Sequence, residues 1–237
     1  MSLVIAWITV IPVYFMVIFF MALMYLLPLV AIALNRNFAD VRYIDFFPPF
    51  LSDFSRTHCL RFYWRRTKTY RPVDAKIVSW ENNMFVFARW PWSLVGCLAS
   101  VRDHVTGVFV DFKITPKDTT YVDYPPSRVL LPYVFLSLLS AVVAAFVPAG
   151  GAAAGFYIFA IFNAVIYALL VAVIVGGHVR ENGISPIPRS RGAVAIVALV
   201  VVSLAVSAYA IERRGAAGMR ALMAGMDGSA FPMNVLR

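Results

Sequence analysis

The sequence predicts an all-α polytopic membrane protein with about four transmembrane helices, an interfacial amphipathic helix and an extended cytoplasmic loop. Three observations predict it. The chain is 61% hydrophobic with a mean hydropathy of +0.78, where a soluble domain is usually about half apolar. No Asp, Glu, Lys or Arg falls in residues 1–35, 129–179 or 192–211. Residues 36–128 hold 14 of the 21 Lys and Arg and 9 of the 12 acids. A charge at mid-bilayer costs about 2.5–3.5 kcal/mol on insertion, so this segregation is what spanning segments require.

The first element is residues 1–35, whose apolar run 3–35 exceeds the roughly 20 residues needed to span the hydrocarbon core and is too short for two spans and a turn. Pro12 and Pro28 kink it or mark its ends. A cleaved signal peptide is disfavoured, because the start has no positive residue and the run far exceeds the usual ~7–15.

Residues 36–128 form a basic cytoplasmic or interfacial region. Within it, "VRYIDFFPPFLSDF" (41–54) is aromatic enough to dip into the membrane, and a true crossing there would reverse the placement of the N-terminus. "HCLRFYWRRTKTYRP" (58–72) interleaves aromatic rings with arginines and Lys68. Beside a membrane this composition reads as a headgroup-level anchor for anionic lipid rather than as a nucleic-acid surface. In "ARWPWSLVGCLASVRDHV", Arg89, Trp90 and Trp92 read as an interfacial anchor, because tryptophans gather at the water–lipid boundary. Leu94, Val95, Leu98, Val101 and Val105 fall on one helical face, with Ser93, Ser100, Asp103 and His104 toward the other, a pattern that suits a helix lying in the interface. From Val108 to Thr115 the period becomes two, which means an extended ribbon; Pro116 and a polar stretch follow. Thr115 and Lys117 there offer a hydroxyl and an ammonium to a phosphorylated ligand.

Residues 129–177 read as a transmembrane hairpin, turned at Pro148, Gly150 and Gly151, with Gly and Ala that allow close helix contact. A basic cytoplasmic linker (178–191) precedes a transmembrane helix at 192–211. In the tail, 212–237, Met219, Leu222, Met223 and Met226 recur at helical spacing and fit either a short surface helix or a frayed end. By the positive-inside rule, the 36–128 block and the linker are both cytoplasmic and both termini lie outside. Cys59 and Cys97 have no metal or disulfide spacing, and no residue is read as a catalytic group or metal ligand.

"FKITPK", following "ARWPW" and an amphipathic helix and preceding a Pro/Gly-turned hairpin, resembles the membrane region of bacterial cellulose synthases and related processive family-2 glycosyltransferases. That family carries a Phe-x-Val-Thr-x-Lys gating-loop motif, matched here by Phe112, Thr115 and Lys117, with Ile114 in place of valine. The resemblance covers roughly residues 80–177. It implies that Thr115 and Lys117 contact the diphosphate region of a UDP-sugar while Phe112 and Ile114 seat the loop, and that the spans conduct a growing polysaccharide. It also implies a bacterial inner-membrane location. The family's aspartates, its Thr-Glu-Asp triplet and its Gln-x-x-Arg-Trp motif are missing: Asp111, Asp118 and Asp123 do not form Asp-x-Asp. The resemblance therefore implies a partner, a family-2 catalytic domain in the same or a separate chain, carrying the Mg or Mn cofactor, and a chain inactive alone as a split subunit, truncation or excerpt. The alternative is a non-enzymatic membrane subunit, an export or scaffold component of an envelope polysaccharide system.

Overall fold

In a computed structural model, the described residues are 3–36, 38, 47–69, 80–108, 124–150, 153–185, 187–188 and 190–224. Every regular element among them is helical: α1 (Leu3–Leu34), α2 (Phe47–Arg66), α3 (Trp80–Thr106), α4 (Ser127–Phe146), α5 (Phe156–Asn182), α6 (Arg191–Ala210) and α7 (Ala216–Ala224). A π-helical turn, Ile211–Gly215, joins α6 to α7. Five helices among the described residues are long and apolar enough to cross a membrane. The protein is an all-α polytopic membrane protein.

Local chemistry sets the helix ends. Asn35 stops α1 in the left-handed conformation at φ 48°, which Asn tolerates better than most residues. The Asn35 N–H then bonds the Ile32 carbonyl and the Arg36 N–H bonds Ala31, at 3.1 and 3.0 Å, closing a Schellman cap. Gly183, at φ 61°, ends α5 in the same way, with Ile184 N–H on the Val179 carbonyl at 3.1 Å. Ser190 opens α6, its Oγ accepting the Ala193 N–H at 3.2 Å, as an N-cap should.

The hairpin α4–α5 and the helix α6 form the packed centre. Small residues line their seam: Ala141, Ala144, Ala145, Ala160, Ala164 and Ala168 are all buried, letting backbones approach closely. Ser137 Oγ donates to the Ala164 carbonyl at 2.6 Å. That uses its single proton, so Ser203 Oγ is the donor in the 2.6 Å contact between the two hydroxyls. The polar atoms that α4 and α6 bury thus satisfy one another and the backbone.

Two core layers fix how α1 runs. At one end of the bundle, Leu29 and Ile32 of α1 pack with Ala144, Ala145, Ala149 and Tyr157 from the α4–α5 turn. Asn35 Oδ1 accepts the Gly150 N–H there at 2.7 Å. At the other level, Ala22 of α1 packs with Leu130 and Tyr133 from the start of α4, with Tyr167 and Leu170 of α5 and with Ile196 from the start of α6. Hence α1 runs parallel to α4 and α6 and antiparallel to α5.

This corrects the topology read from the sequence, in which residues 36–128 stayed on one side and α1 ended where α4 began. The end of α1 instead meets the end of α4, so the chain crosses between Arg36 and Ser127. The helix suited to that crossing is α3, whose segment Met84–Thr106 is the fifth candidate span. Its length and composition suit a span, where the sequence pattern suited a helix lying in the interface. It is the least buried of the five, and Val95, Leu98, Val101 and Val105 leave its apolar face uncovered by protein. The crossing considered at 41–54 falls partly outside the described residues; α2, which begins at Phe47, is not among the candidate spans.

The last span is also longer than read. The run Arg191–Met223 is continuous through the π turn, and Ala221 is buried in the core. The segment around Met219, Leu222 and Met223 is therefore a docked helix, with Met219 and Met223 exposed; Met226 lies outside the described residues.

Candidate functional site

The segment 109–123, with Phe112, Ile114, Thr115 and Lys117, lies outside the described residues. The structure does show what holds its two ends. On the near side, Gly107 caps α3 at φ 68°, its N–H on the Asp103 carbonyl at 2.9 Å. On the far side, α4 begins at Ser127.

The N-terminal half of α3 is held by an aromatic knot. Phe87, Trp90 and Leu94 share a helical face and pack into the second core layer. Trp90 is 4% exposed; its ring stacks on Tyr25 of α1 at 5.4 Å between centroids, and its Nε1–H donates to Tyr167 Oη of α5. Tyr133 of α4 stacks on Tyr167 at 6.5 Å. Pro91 removes the N–H that would pair with the Phe87 carbonyl, which loosens this turn. Tyr133 Oη donates to the adjacent Ala88 carbonyl at 2.7 Å. The three helices α1, α4 and α5 are thereby tied to α3 at one level.

The residues read as one interfacial anchor divide. Trp90 is a buried packing residue, whereas Arg89 and Trp92 are exposed. The Arg89 guanidinium lies 5.9 Å from the Phe85 ring centroid, within cation–π range. Both border an open cleft of 410 Å³ between α3 and α4, lined by Phe85, Ala88, Arg89, Trp92, Ser93 and Tyr133. It presents one permanent cation, the hydroxyls of Ser93 and Tyr133 and a flat indole. Arg pairs with phosphate oxygens, and an aromatic face stacks on the apolar side of a sugar ring.

A larger cleft of 770 Å³ opens between α1 and α5, bordered by Phe19, Met24, Tyr25, Pro28, Phe159 and Asn163 among others. Asn163 is buried, and its Nδ2–H donates to the Tyr25 carbonyl at 2.9 Å. This carbonyl lies next to the Met24 carbonyl, for which Pro28 has no N–H to offer. The wall is otherwise almost wholly apolar, so the cleft suits an acyl chain or another helix rather than a sugar.

Sequence reasoning missed Tyr25, Tyr133, Asn163 and Tyr167. The available signal was a polar side chain inside an apolar run, since such groups seek buried partners. Among the described residues, no group of three or more His, Cys, Asp or Glu is close enough to hold a metal ion. Comparison with family models, with curated proteins and with solved structures finds no match.

Proposed function

We propose that this chain is the membrane part of a processive glycosyltransferase in the bacterial inner membrane. It carries the lid that closes over a UDP-sugar, while a family-2 catalytic domain, in the same or another chain, holds the divalent metal and does the chemistry. The observation that carries the reading is the order Arg89–Trp90–Pro91–Trp92, FKITPK, hairpin, on two helices tied to a common core. A connection of 15 residues, 109–123, has a contour of about 50 Å. A segment of that reach is long enough to cover a nucleotide bound beside the bundle, and in this reading closing it there excludes water from a reactive donor. In this reading Lys117 and Thr115 meet the diphosphate, Phe112 and Ile114 seat the lid, and the Arg89–Trp92 cleft borders the sugar path. The bundle centre is filled by Ala, Ser and aromatic side chains, so the polymer's channel needs helices from the partner as well.

The test uses membranes from cells producing the chain together with its catalytic domain, supplied with radiolabelled UDP-sugar. A lost charge-assisted contact of about 1.5–3 kcal/mol corresponds to a roughly ten- to hundredfold slower polymerisation. Thr115→Ala and Lys117→Ala should each slow synthesis by that order without loss of membrane insertion. Wild-type rates in both variants would contradict the lid.

The second reading, a non-enzymatic membrane subunit of an envelope polysaccharide system, is favoured by the charge distribution. With α3 as a span, Arg36, Arg56, Arg61, Arg65, Arg66 and Lys68 precede it, at the end of the bundle where Arg213, Arg214 and Arg220 follow α6. The opposite end has Arg102, Arg128, Arg180 and Arg191. The positive-inside rule favours the richer end for the cytosol, which would turn residues 109–123 away from any nucleotide-sugar. The side on which Thr115 lies therefore separates the two readings.

A further inference from the structure

Arg214 is buried, 8% exposed, in a bundle whose helices α1 and α4 and the apolar part of α5 carry no Asp or Glu. Its guanidinium carbon lies 5.2 Å from the centre of the Tyr157 ring. That ring is itself fixed: Tyr157 Oη accepts the Ala149 N–H at 2.6 Å and donates to the Val147 carbonyl at 2.9 Å. Arg214 Nε is buried with no hydrogen-bond partner. Among the described residues no carboxylate is within salt-bridge distance of it. Nor can α4 or the apolar part of α5 provide one, because residues 129–179 contain no Asp or Glu, and neither do residues 1–35 of α1. A largely buried guanidinium gains from an anionic partner, and its Nε has none among the described residues.

The backbone beneath Arg214 points the same way. Residues Ile211–Gly215 form the π turn, inserted into a helix that is otherwise regular from Arg191 to Ala224. Such bulges occur mostly as single turns inside α-helices, frequently at functional sites. Just beyond it, Gly218 packs so tightly on α5 that a Cβ would lie 3.2 Å from the Ala154 carbonyl oxygen. The π turn is thus held against the α4–α5 turn, at one end of the bundle.

We propose that Arg214 is the floor of a binding site for a phosphate-bearing anion, and that the phosphate is that of an anionic phospholipid headgroup in this leaflet. A guanidinium offers several N–H donors in a planar fork matched to phosphate oxygens. The rigid tyrosine beneath it keeps the fork in place. The site is independent of the proposed lid function.

The test uses the purified full-length chain in neutral detergent, with thermal unfolding followed on adding phosphatidylglycerol, phosphatidylcholine or inorganic phosphate. Wild type should melt at least about 3 °C higher with phosphatidylglycerol than with phosphatidylcholine, the size of shift that ligand saturation well above Kd gives. Arg214→Gln should lose the difference, and Arg214→Lys should keep part of it. Arg213→Gln should keep it in full, because Arg213 is exposed and bonds Tyr209 instead. An equal response to both lipids in wild type would overturn the proposal even if Arg214→Gln does not fold. So would a full phosphatidylglycerol response in folded Arg214→Gln. A shift reproduced by inorganic phosphate alone would overturn the lipid assignment and make the ligand a soluble phosphate.

Discussion

The side chain of Asn35 does two things at once. Its backbone takes the left-handed conformation that ends α1, and its Oδ1 receives the Gly150 N–H from the turn between α4 and α5. A Cβ on Gly150 would lie 3.3 Å from the Asn35 side chain, so the contact depends on glycine there. Asn35→Ala should destabilise the bundle by about 1–3 kcal/mol, combining an unmet amide with strain at positive φ. Asn35→Gly, which relieves the strain, should cost less. Reversible unfolding in mixed micelles measures both. None of this was legible in the sequence. Asn35 reads as the polar end of an apolar run and Gly150 as a turn residue, and nothing in either pattern says that they meet. Trp90 shows the same limit. Its composition fits the boundary layer as well as Trp92 does, and only its contacts with Tyr25 and Tyr167 separate a packed indole from an exposed one.

Among the elements, α3 is the one whose character changed most between pattern and structure. Its apolar stripe is real, and Val95, Leu98, Val101 and Val105 on it remain uncovered by protein. What the stripe could not reveal is that the helix starts at Trp80 and that its first half is clamped by three tyrosines from other helices. Hydropathy averages along a chain, whereas docking depends on partners distant in sequence, such as Tyr167 for Trp90. Trp90→Phe removes the donor to Tyr167 Oη while keeping most of the buried area. It should loosen α3 by about 1–3 kcal/mol, the cost of an unsatisfied buried hydroxyl. Limited proteolysis of the 109–123 connection should accelerate in this variant, since the end that α3 holds becomes mobile. An unchanged cleavage rate would mean that the knot does not hold α3. The spans α4, α5 and α6 were legible because uncharged runs of that length have few other uses. The joining of α6 to α7 was missed because Glu212, Arg213 and Arg214 look like the polar flank of a span.

For the whole molecule, helical membrane architecture followed from charge segregation, but the direction of α1 did not. A uniformly apolar helix reads the same from either end, so its orientation was inferred from loop charge alone. The inner contacts decide it: Leu29, Ile32 and Asn35 lie with the α4–α5 turn, which requires a crossing before α4. The end of α3, from which the segment carrying Thr115 continues, then lies at the opposite end of the bundle from the end of α1. Membrane-impermeant maleimide labelling in right-side-out and inverted vesicles tests this most directly. One variant, Cys97→Ser, keeps only Cys59 on α2, where it is exposed. The other lacks both native cysteines and carries Thr115→Cys. The account predicts that the two thiols label from opposite sides, with the Thr115→Cys thiol reached from the cytosol. Labelling from the outside would leave the fold intact but contradict the lid, and labelling of both thiols from one side would contradict the crossing itself.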